Sequence, residues 1–274
     1  MNMQALADWP LAERSRLGGI LTDIDDTFTT HGKLTVAALD AVSRVRAAGL
    51  KVIAVTGRPT YWTLPLLRLC SFDAVIAENG ASAFWLDSSG RQQSLFYADA
   101  QTRQQHRQRL QAFALTMQQH FPDIHIAEDA PQRVGDLAFD IGENIAPIPL
   151  PRLQAVAALI QAEGLYATTS SIHAHASVMP FSKQSMSHRV LQQVFGVDDE
   201  TARRQYVFIG DSANDASMFG HYPLTVGVAN VRRFLDRFDA HPAYVTQREY
   251  GAGFVELADA ILDARQVVQI KNKQ

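Results

Sequence analysis

Cysteine is almost missing from this chain of 274 residues, because Cys70 is its single example. One cysteine can form neither an internal disulfide nor a metal site built from several thiolates, so we expect a reducing, cytoplasmic setting. Long hydrophobic runs are missing too, and residues 1–17 mix charge with short apolar pieces instead of a signal-peptide pattern. The sequence therefore predicts a protein with no membrane partner.

An excess of positive charge is also lacking. The 25 Lys and Arg residues are outnumbered by 28 Asp and Glu residues, and the basic side chains are scattered instead of clustered. This composition speaks against nucleic acid as a partner. Hydrophobic residues make up 47% of the chain, which at this length is enough for a sizeable core and excludes an intrinsically disordered protein.

Three short apolar runs in the first 80 residues each end in polar side chains. They cover residues 19–21, 51–55 and 74–77, and stretches with helical spacing separate them. Strands that alternate with helices favour an α/β fold with a parallel, doubly wound sheet. Such sheets bind ligands at the carboxyl ends of their strands, where these polar residues are expected to gather.

The pattern changes after residue 81. Runs at 83–87 and 93–97 flank an Asp-Ser-Ser-Gly turn, and a long helix, an alternating strand at 133–141, a second helix and strand-like runs at 166–171 and 172–179 follow. The parallel α/β rhythm returns after Pro180. We therefore predict an inserted α+β domain at residues 82–180, between two parts of one core at 1–81 and 181–274.

Acidic residues crowd the end of the first predicted strand. Asp23, Asp25 and Asp26 follow a buried apolar run directly. Carboxylates so close together repel one another unless a cation lies between them, and oxygen ligands favour a hard ion such as Mg²⁺. An Asp-rich turn with solvated side chains is the alternative interpretation.

Further polar groups are expected at the same edge of the sheet, and together they form an ordered set. The set contains Asp23, Asp25 and Thr27 after the first strand, Thr56 after the second, Lys183 at the start of the helix that follows the insertion, and Asp211 and Asp215 after the fourth core strand. Its order and spacing resemble the four motifs of the haloacid dehalogenase superfamily of phosphohydrolases, namely Asp-x-Asp-x-Thr, a Ser or Thr, a Lys, and Gly-Asp-x-x-x-Asp.

The insertion between the second and third motifs resembles the type IIB cap of Cof-like, sucrose-phosphate and mannosyl-3-phosphoglycerate phosphatases. Val-Thr-Gly-Arg at 55–58 and Glu-Asn-Gly-Ala at 78–81 also look like that branch. The chain departs from the pattern at Gln184, where a Gly is usual, and at Phe28-Thr29, which replace an apolar pair. The resemblance implies a Rossmann-like core with a cap that selects the substrate.

The resemblance implies a role for each motif. Asp23 would attack phosphorus to form an aspartyl-phosphate, while Asp25 would protonate the leaving group and then activate water. Thr56 and Lys183 would hold phosphate oxygens. A Mg²⁺ ion would be held by Asp23, the Asp25 carbonyl and Asp211, with Asp215 and Asn214 orienting the ion or its waters. The remaining candidates for phosphate or substrate binding are Thr27, Gly57, Arg58 and Asn79, although Gly57 and Gly80 can equally serve backbone turns.

The last strand of the insertion alternates strictly. Residues 172, 174, 176 and 178 are apolar, which leaves His173, His175 and Ser177 on the opposite face. That face lies either in water or at the entrance of the active site. If it lies at the entrance, the two histidines are candidates for substrate binding.

The leading hypothesis is a Mg²⁺-dependent phosphatase whose partner is a small phosphorylated metabolite. We expect the substrate to be a sugar phosphate, because the insertion resembles the caps of carbohydrate phosphatases. A phosphomutase or phosphotransferase would share the aspartyl-phosphate. A receiver-like regulatory module would need its accepting Asp at the end of the third strand, where this chain has Glu78-Asn79. A dehalogenase lacks the second catalytic Asp, so the presence of Asp25 argues against that activity.

Overall fold

The computed structural model describes residues 3–170, 172–235 and 240–271. Its elements, in chain order, are β1 (Gln4–Ala5), α1 (Leu11–Arg14), β2 (Gly19–Thr22), α2 (Val36–Ala47), β3 (Lys51–Val55), α3 (Thr60–Leu69), β4 (Ala74–Ala77), β5 (Ser82–Leu86), β6 (Gln92–Phe96), α4 (Ala100–His120), β7 (Asp136–Asp140), α5 (Leu150–Ala162), β8 (Tyr166–Thr169), β9 (His173–Ser177), α6 (Lys183–Phe195), α7 (Asp199–Gln205), β10 (Tyr206–Gly210), α8 (Ala216–His221), β11 (Thr225–Gly227), β12 (Tyr244–Val245) and α9 (Tyr250–Lys271). None of the helices in these ranges combines the length and apolarity needed to cross a membrane.

Within the described residues, the larger sheet has nine strands in the order β1-β12-β11-β10-β2-β3-β4-β5-β6. The pairs from β1 to β4 are parallel, which confirms the predicted α/β fold with a doubly wound sheet. Strand β2 lies between β10 and β3, and it is buried on both faces because Ile20 and Leu21 pack into different core clusters. Helices α2, α3 and α9 cover one face, and α6, α7 and α8 cover the other.

Local signals in the sequence explain where the helices around the site begin and end. The Thr35 hydroxyl accepts a hydrogen bond from the Ala38 N–H at 3.2 Å and caps α2. At α6 the Ser182 side chain caps the helix together with Ser185, and Gly196 ends it in the left-handed conformation at φ 67°. Because Ser182 is the N-cap, Lys183 becomes the first residue of α6 and lies at a helix start that faces the carboxyl ends of the strands.

The hairpin of β5 and β6 belongs to the larger sheet. Strand β5 pairs with β4 in antiparallel fashion, and β6 pairs with β5. The sequence placed both strands at the start of the inserted domain, because a hairpin breaks the parallel rhythm whichever sheet it joins. The separate sheet begins only with β7, so the boundary at residue 82 stays a prediction.

In the part of the chain that the structure describes, the smaller sheet has three antiparallel strands in the order β7-β9-β8. Helices α4 and α5 pack on its apolar face, where Phe113 and Val156 meet Phe139 and Ala174. We call this sheet with its two helices the cap. The described part of the predicted strand at 166–171 is β8, and Ser171 lies outside the described residues. The polar face of the cap sheet is turned toward the carboxyl ends of β2 and β3.

Candidate active site

A buried acidic cluster lies where three neighbouring parallel strands end. Asp23 directly follows β2, Thr56 follows β3, and Asp211 follows β10. Lys183 Nζ lies 2.5 Å from Asp23 Oδ1 and 2.7 Å from Asp215 Oδ1. The structure therefore brings together four of the five charged residues of the set that the sequence singled out.

The charges of this cluster do not balance. Burial raises the pKa of Asp23, although Lys183 acts in the opposite direction, and burial together with Asp23 and Asp215 raises the pKa of Asp211. Three ionised carboxylates around one ammonium leave two negative charges, which a divalent cation would neutralise. Asp23, Asp211 and Asp215 each offer an oxygen within 4.8 Å of the others, and an all-oxygen donor set suits Mg²⁺.

Asp215 also shapes the loop that carries Asp211. Its Oδ2 accepts hydrogen bonds from the backbone N–H of Asp211 at 2.9 Å and of Ser212 at 3.1 Å. A Cβ at Gly210 would lie 2.4 Å from this oxygen, so the close approach requires glycine. Because Oδ1 accepts from Lys183, both oxygens of Asp215 already have partners, and the predicted role as a metal ligand would require sharing them.

Asn230 completes the cluster, and no motif in the sequence pointed to it. Its Nδ2 donates to Asp211 Oδ2 at 2.9 Å and to the Asp26 carbonyl at 3.0 Å, while its Oδ1 accepts from the Tyr250 N–H. A buried polar residue three positions after β11 was the available signal. Thr27 lies on the same side, and its buried hydroxyl donates to Asp211 Oδ1 at 3.4 Å.

Hydrogen-bond donors flank the cluster on the β3 side. The buried Thr56 hydroxyl accepts from the Arg58 N–H at 3.1 Å, which leaves its own proton free to donate. Asn79 has a left-handed backbone at φ 52°, and its Oδ1 accepts from Asn214 Nδ2 at 3.0 Å. Asn79 Nδ2 is buried without a partner. A Cβ at Gly57 would come within 3.1 Å of the Asn79 amide, so glycine keeps this corner open.

Asp25 pairs with Arg58 instead of with Lys183. Both of its carboxylate oxygens lie 3.0 Å from Arg58 Nε. The other end of Arg58 donates to Glu143 Oε1 at 2.8 Å, and Glu143 belongs to the cap loop after β7. Burial lowers the pKa of Arg58, but Asp25 and Glu143 raise it by more. No sequence motif pointed to Glu143.

The polar face of the cap sheet covers this site. His173 and His175 are each only 2% exposed, so the interpretation of a solvated face is wrong for this structure. Both line a cleft with Asp23, Asp25, Arg58 and Asn214. The cleft has a volume of about 20 Å³, enough for about one water molecule. A cavity of about 470 Å³ on the α4 side of the cap is larger, but none of the acidic cluster lines it.

Glu78 directly follows β4, the third strand predicted from the sequence, at the position where a receiver module would accept phosphate. Glu78 is fully buried, and its carboxylate accepts from the backbone N–H of Thr60, Val134 and Gly135 at 2.7–2.9 Å. Burial raises the pKa of Glu78, and Asp136 adds to the effect. These contacts give Glu78 a structural role that joins β4 to the cap, and they shield it from phosphate donors.

The chain is similar to known hydrolases in sequence and in fold. Residues 20–120 match the family model of the haloacid dehalogenase-like hydrolases. None of the curated proteins matches the sequence significantly. Protein 0175 of Thermoplasma acidophilum has a similar fold, with a TM-score of 0.66, 17% identity, and 89% of this chain and 98% of that chain covered.

Two further structures with similar folds come from phosphatases. The sucrose-phosphatase of Synechocystis sp. PCC6803, solved with sucrose and phosphate, has a TM-score of 0.61 at 14% identity, covering 90% of this chain and 98% of its own. The subclass IIB sugar phosphatase BT4131 has a TM-score of 0.61 at 16% identity, covering 88% and 97%. Both likenesses extend over the core and the cap.

Proposed function

We propose that this chain, whose residues 20–120 match the family model of the haloacid dehalogenase-like hydrolases, is a Mg²⁺-dependent phosphatase of a small sugar phosphate. One observation carries the proposal. Asp23, Lys183, Asp211 and Asp215 meet at the carboxyl ends of β2 and β10, beside the donors Thr56 and Asn79 and beneath the polar face of the cap.

Asp23 is the proposed nucleophile, and it would form an aspartyl-phosphate. The phosphate monoester and the attacking carboxylate repel each other, and a bound Mg²⁺ would offset that repulsion. Lys183 fixes one oxygen of Asp23 at 2.5 Å and supplies positive charge next to the reacting phosphoryl group. Thr56 and the unpartnered Asn79 amide are suited to donate hydrogen bonds to its other oxygens.

Asp25 is the proposed acid and base. Its carboxylate lines the same cleft as Asp23, so it can reach the oxygen on the far side of the phosphorus. To donate a proton, Asp25 has to be protonated, and a neutral Asp25 no longer forms a salt bridge with Arg58. Arg58 therefore has to shift when substrate enters, which agrees with a cleft of about 20 Å³ that is too small for any sugar phosphate.

Two further observations support an uncharged, hydroxylated leaving group. Arg58 is the single Lys or Arg among the described residues that line the cleft, and Asp25 and Glu143 already balance its charge. A second anionic group on the substrate would therefore find no free cation there. The similar structures include a sucrose-phosphatase and a subclass IIB sugar phosphatase, which makes a sugar the natural first choice.

A phosphate-release assay over a panel of phosphorylated metabolites tests the proposal. The wild-type protein should release inorganic phosphate from at least one sugar phosphate in the presence of Mg²⁺, and chelation should abolish the release reversibly. Analysis of the organic product separates this activity from a mutase, which would yield an isomeric sugar phosphate. Full turnover in excess chelator, with no metal found by elemental analysis, would refute the metal site.

A further inference from the structure

Unpartnered polar atoms collect beside the catalytic cleft. Among the described residues, seven buried side-chain nitrogen or oxygen atoms lack a hydrogen-bond partner, and three of these belong to Asn79, His173 and His175. Leaving such a group unsatisfied destabilises the folded protein, so a concentration of them at one place points to a ligand. His173 and His175 line the cleft from the cap, and Asp23 lines it from the core.

The two histidines are held differently. His175 Nδ1 lies 2.8 Å from Asp136 Oδ2, and both side chains are buried. Since the carboxylate can only accept, Nδ1 carries the proton, and the free atom is Nε2. His173 Nε2 already lies 2.9 Å from Glu143 Oε2, although the contact lacks the alignment of a hydrogen bond. His173 Nε2 therefore has a partner within the protein that it can use, whereas His175 Nε2 has none among the described residues.

Asp136 is itself anchored from behind. Arg133 Nη1 donates to Asp136 Oδ1 at 3.0 Å, and the same guanidinium is paired with Asp129 at 2.7 Å. Arg133 also donates to the Gly57 carbonyl at 3.1 Å, which ties the array to the core loop after β3. Asp136 does not line the cleft, and His175 is the cleft residue whose side chain it contacts directly.

We propose that His175 determines specificity by hydrogen-bonding a hydroxyl of the leaving group through Nε2, and that Asp136 is the residue that positions it. A hydroxyl suits this site because it can donate to a neutral imidazole or accept from a protonated one. A substrate without that hydroxyl leaves the buried Nε2 unpaired and is rejected. This inference rests on the proposed phosphatase function and adds a named contact to it.

The test compares kcat/KM for hydroxylated substrates with kcat/KM for phenyl phosphate, measured with Mg²⁺. The hydroxylated panel consists of the 6-phosphates of glucose, mannose, fructose and sucrose, together with glycerol 1-phosphate. We expect the wild type to prefer at least one of them over phenyl phosphate. His175→Ala should lower that preference by between about twofold and tenfold, the effect of losing one hydrogen bond. His125→Ala, at an exposed histidine of the cap, serves as the control and should leave the preference unchanged.

Asp136→Asn gives a second readout that a merely structural role would not produce. It should lower the preference in the wild-type background, mainly through KM, but should have no further effect on the preference in the His175→Ala background. If Asp136→Asn does not fold, as judged by circular dichroism, His175→Ala and His175→Gln decide the question alone.

Three results would overturn the inference. They are a wild type that prefers no hydroxylated substrate, His175 variants with the wild-type preference, and an Asp136→Asn effect that persists in full without His175. A wild type that hydrolyses at least one of the sugar phosphates but shows one of these results keeps the proposed function. A wild type that hydrolyses none of these compounds with Mg²⁺ refutes the proposed function itself.

Discussion

Arg58 Nε lies 3.0 Å from both carboxylate oxygens of Asp25, and the same guanidinium donates across the cleft to Glu143 on the cap at 2.8 Å. This salt bridge joins the core to the cap directly above the proposed catalytic site. Its side chains are between 19% and 28% exposed, and partly solvated pairs contribute about 1 kcal/mol or less. Such a contact can hold the cap closed and still release it in each turnover.

Asp25→Asn should lower the rate by about 10²–10⁴, because the amide can neither protonate the leaving group nor take a proton from water. The loss should be smallest for p-nitrophenyl phosphate, whose leaving group needs little protonation, and largest for an alkyl phosphate. Steady-state kinetics on both substrates measures the difference. An equal loss for the two would argue against acid catalysis by Asp25, provided that the first step limits the rate.

Asp23→Asn should abolish turnover while the protein stays folded. The amide is not a nucleophile, but it has the same shape, and Lys183 keeps its 2.7 Å contact with Asp215. Phosphate release and circular dichroism measure the two effects. Asp26→Asn is the matched control, because the Asp26 side chain accepts from the His31 N–H outside the cluster and should keep most of the activity. Activity of Asp23→Asn within about tenfold of wild type would contradict nucleophilic catalysis.

The α/β core and the convergence of its motif residues could be predicted because both follow from local patterns. Buried β-branched runs mark the parallel strands, and the carboxyl ends of neighbouring parallel strands meet at one edge. Asp23, Thr56 and Asp211 each follow such a run directly, so their proximity needed no knowledge of side-chain packing. The roles assigned to them stay predictions.

Contacts between distant segments could not be predicted in this way. The alternation of β7 placed Asp136 on a polar face, but only the antiparallel register with β9 brings it to His175. The contacts of Arg133, Glu143 and Glu78 depend on how the cap packs on the core, and no local pattern in the sequence indicates that packing. The hairpin at 82–96 belongs to the larger sheet. The sequence could not predict this, because a hairpin has the same sequence pattern in either sheet and tertiary contacts decide which sheet it joins.

Asn230→Ala should weaken Mg²⁺ binding by about 10- to 100-fold, because Asn230 orients the Asp211 carboxylate from behind. The variant also frees the Asp26 carbonyl and the Tyr250 N–H, so its stability has to be checked by thermal unfolding. The Mg²⁺ concentration that gives half-maximal activity is the measurement. Gln118→Ala, at an exposed position of α4, is the control. An unchanged Mg²⁺ requirement in a stable Asn230→Ala protein would show that Asp211 needs no such support.

The last prediction concerns pH. Burial raises the pKa of Asp23 and of Asp211 above the ordinary value for Asp, so the metal-free folded protein binds protons that the unfolded chain releases. The metal-free protein should therefore become more stable as pH falls toward the ordinary carboxylate range. The contribution of these two carboxyl groups to stability should be lost as pH rises through their raised pKa values. Mg²⁺ competes with these protons for the same oxygens.

Added Mg²⁺ should consequently raise the Tm more at about pH 8 than at about pH 6, because fewer protons have to be displaced at the higher pH. Thermal unfolding with and without Mg²⁺ at the two pH values measures the effect. Asp211→Asn removes one of the titrating carboxylates and one ligand, so it should reduce both the stabilisation by Mg²⁺ and its dependence on pH. A larger Mg²⁺ effect at the lower pH would mean that the buried carboxylates are not where the ion binds.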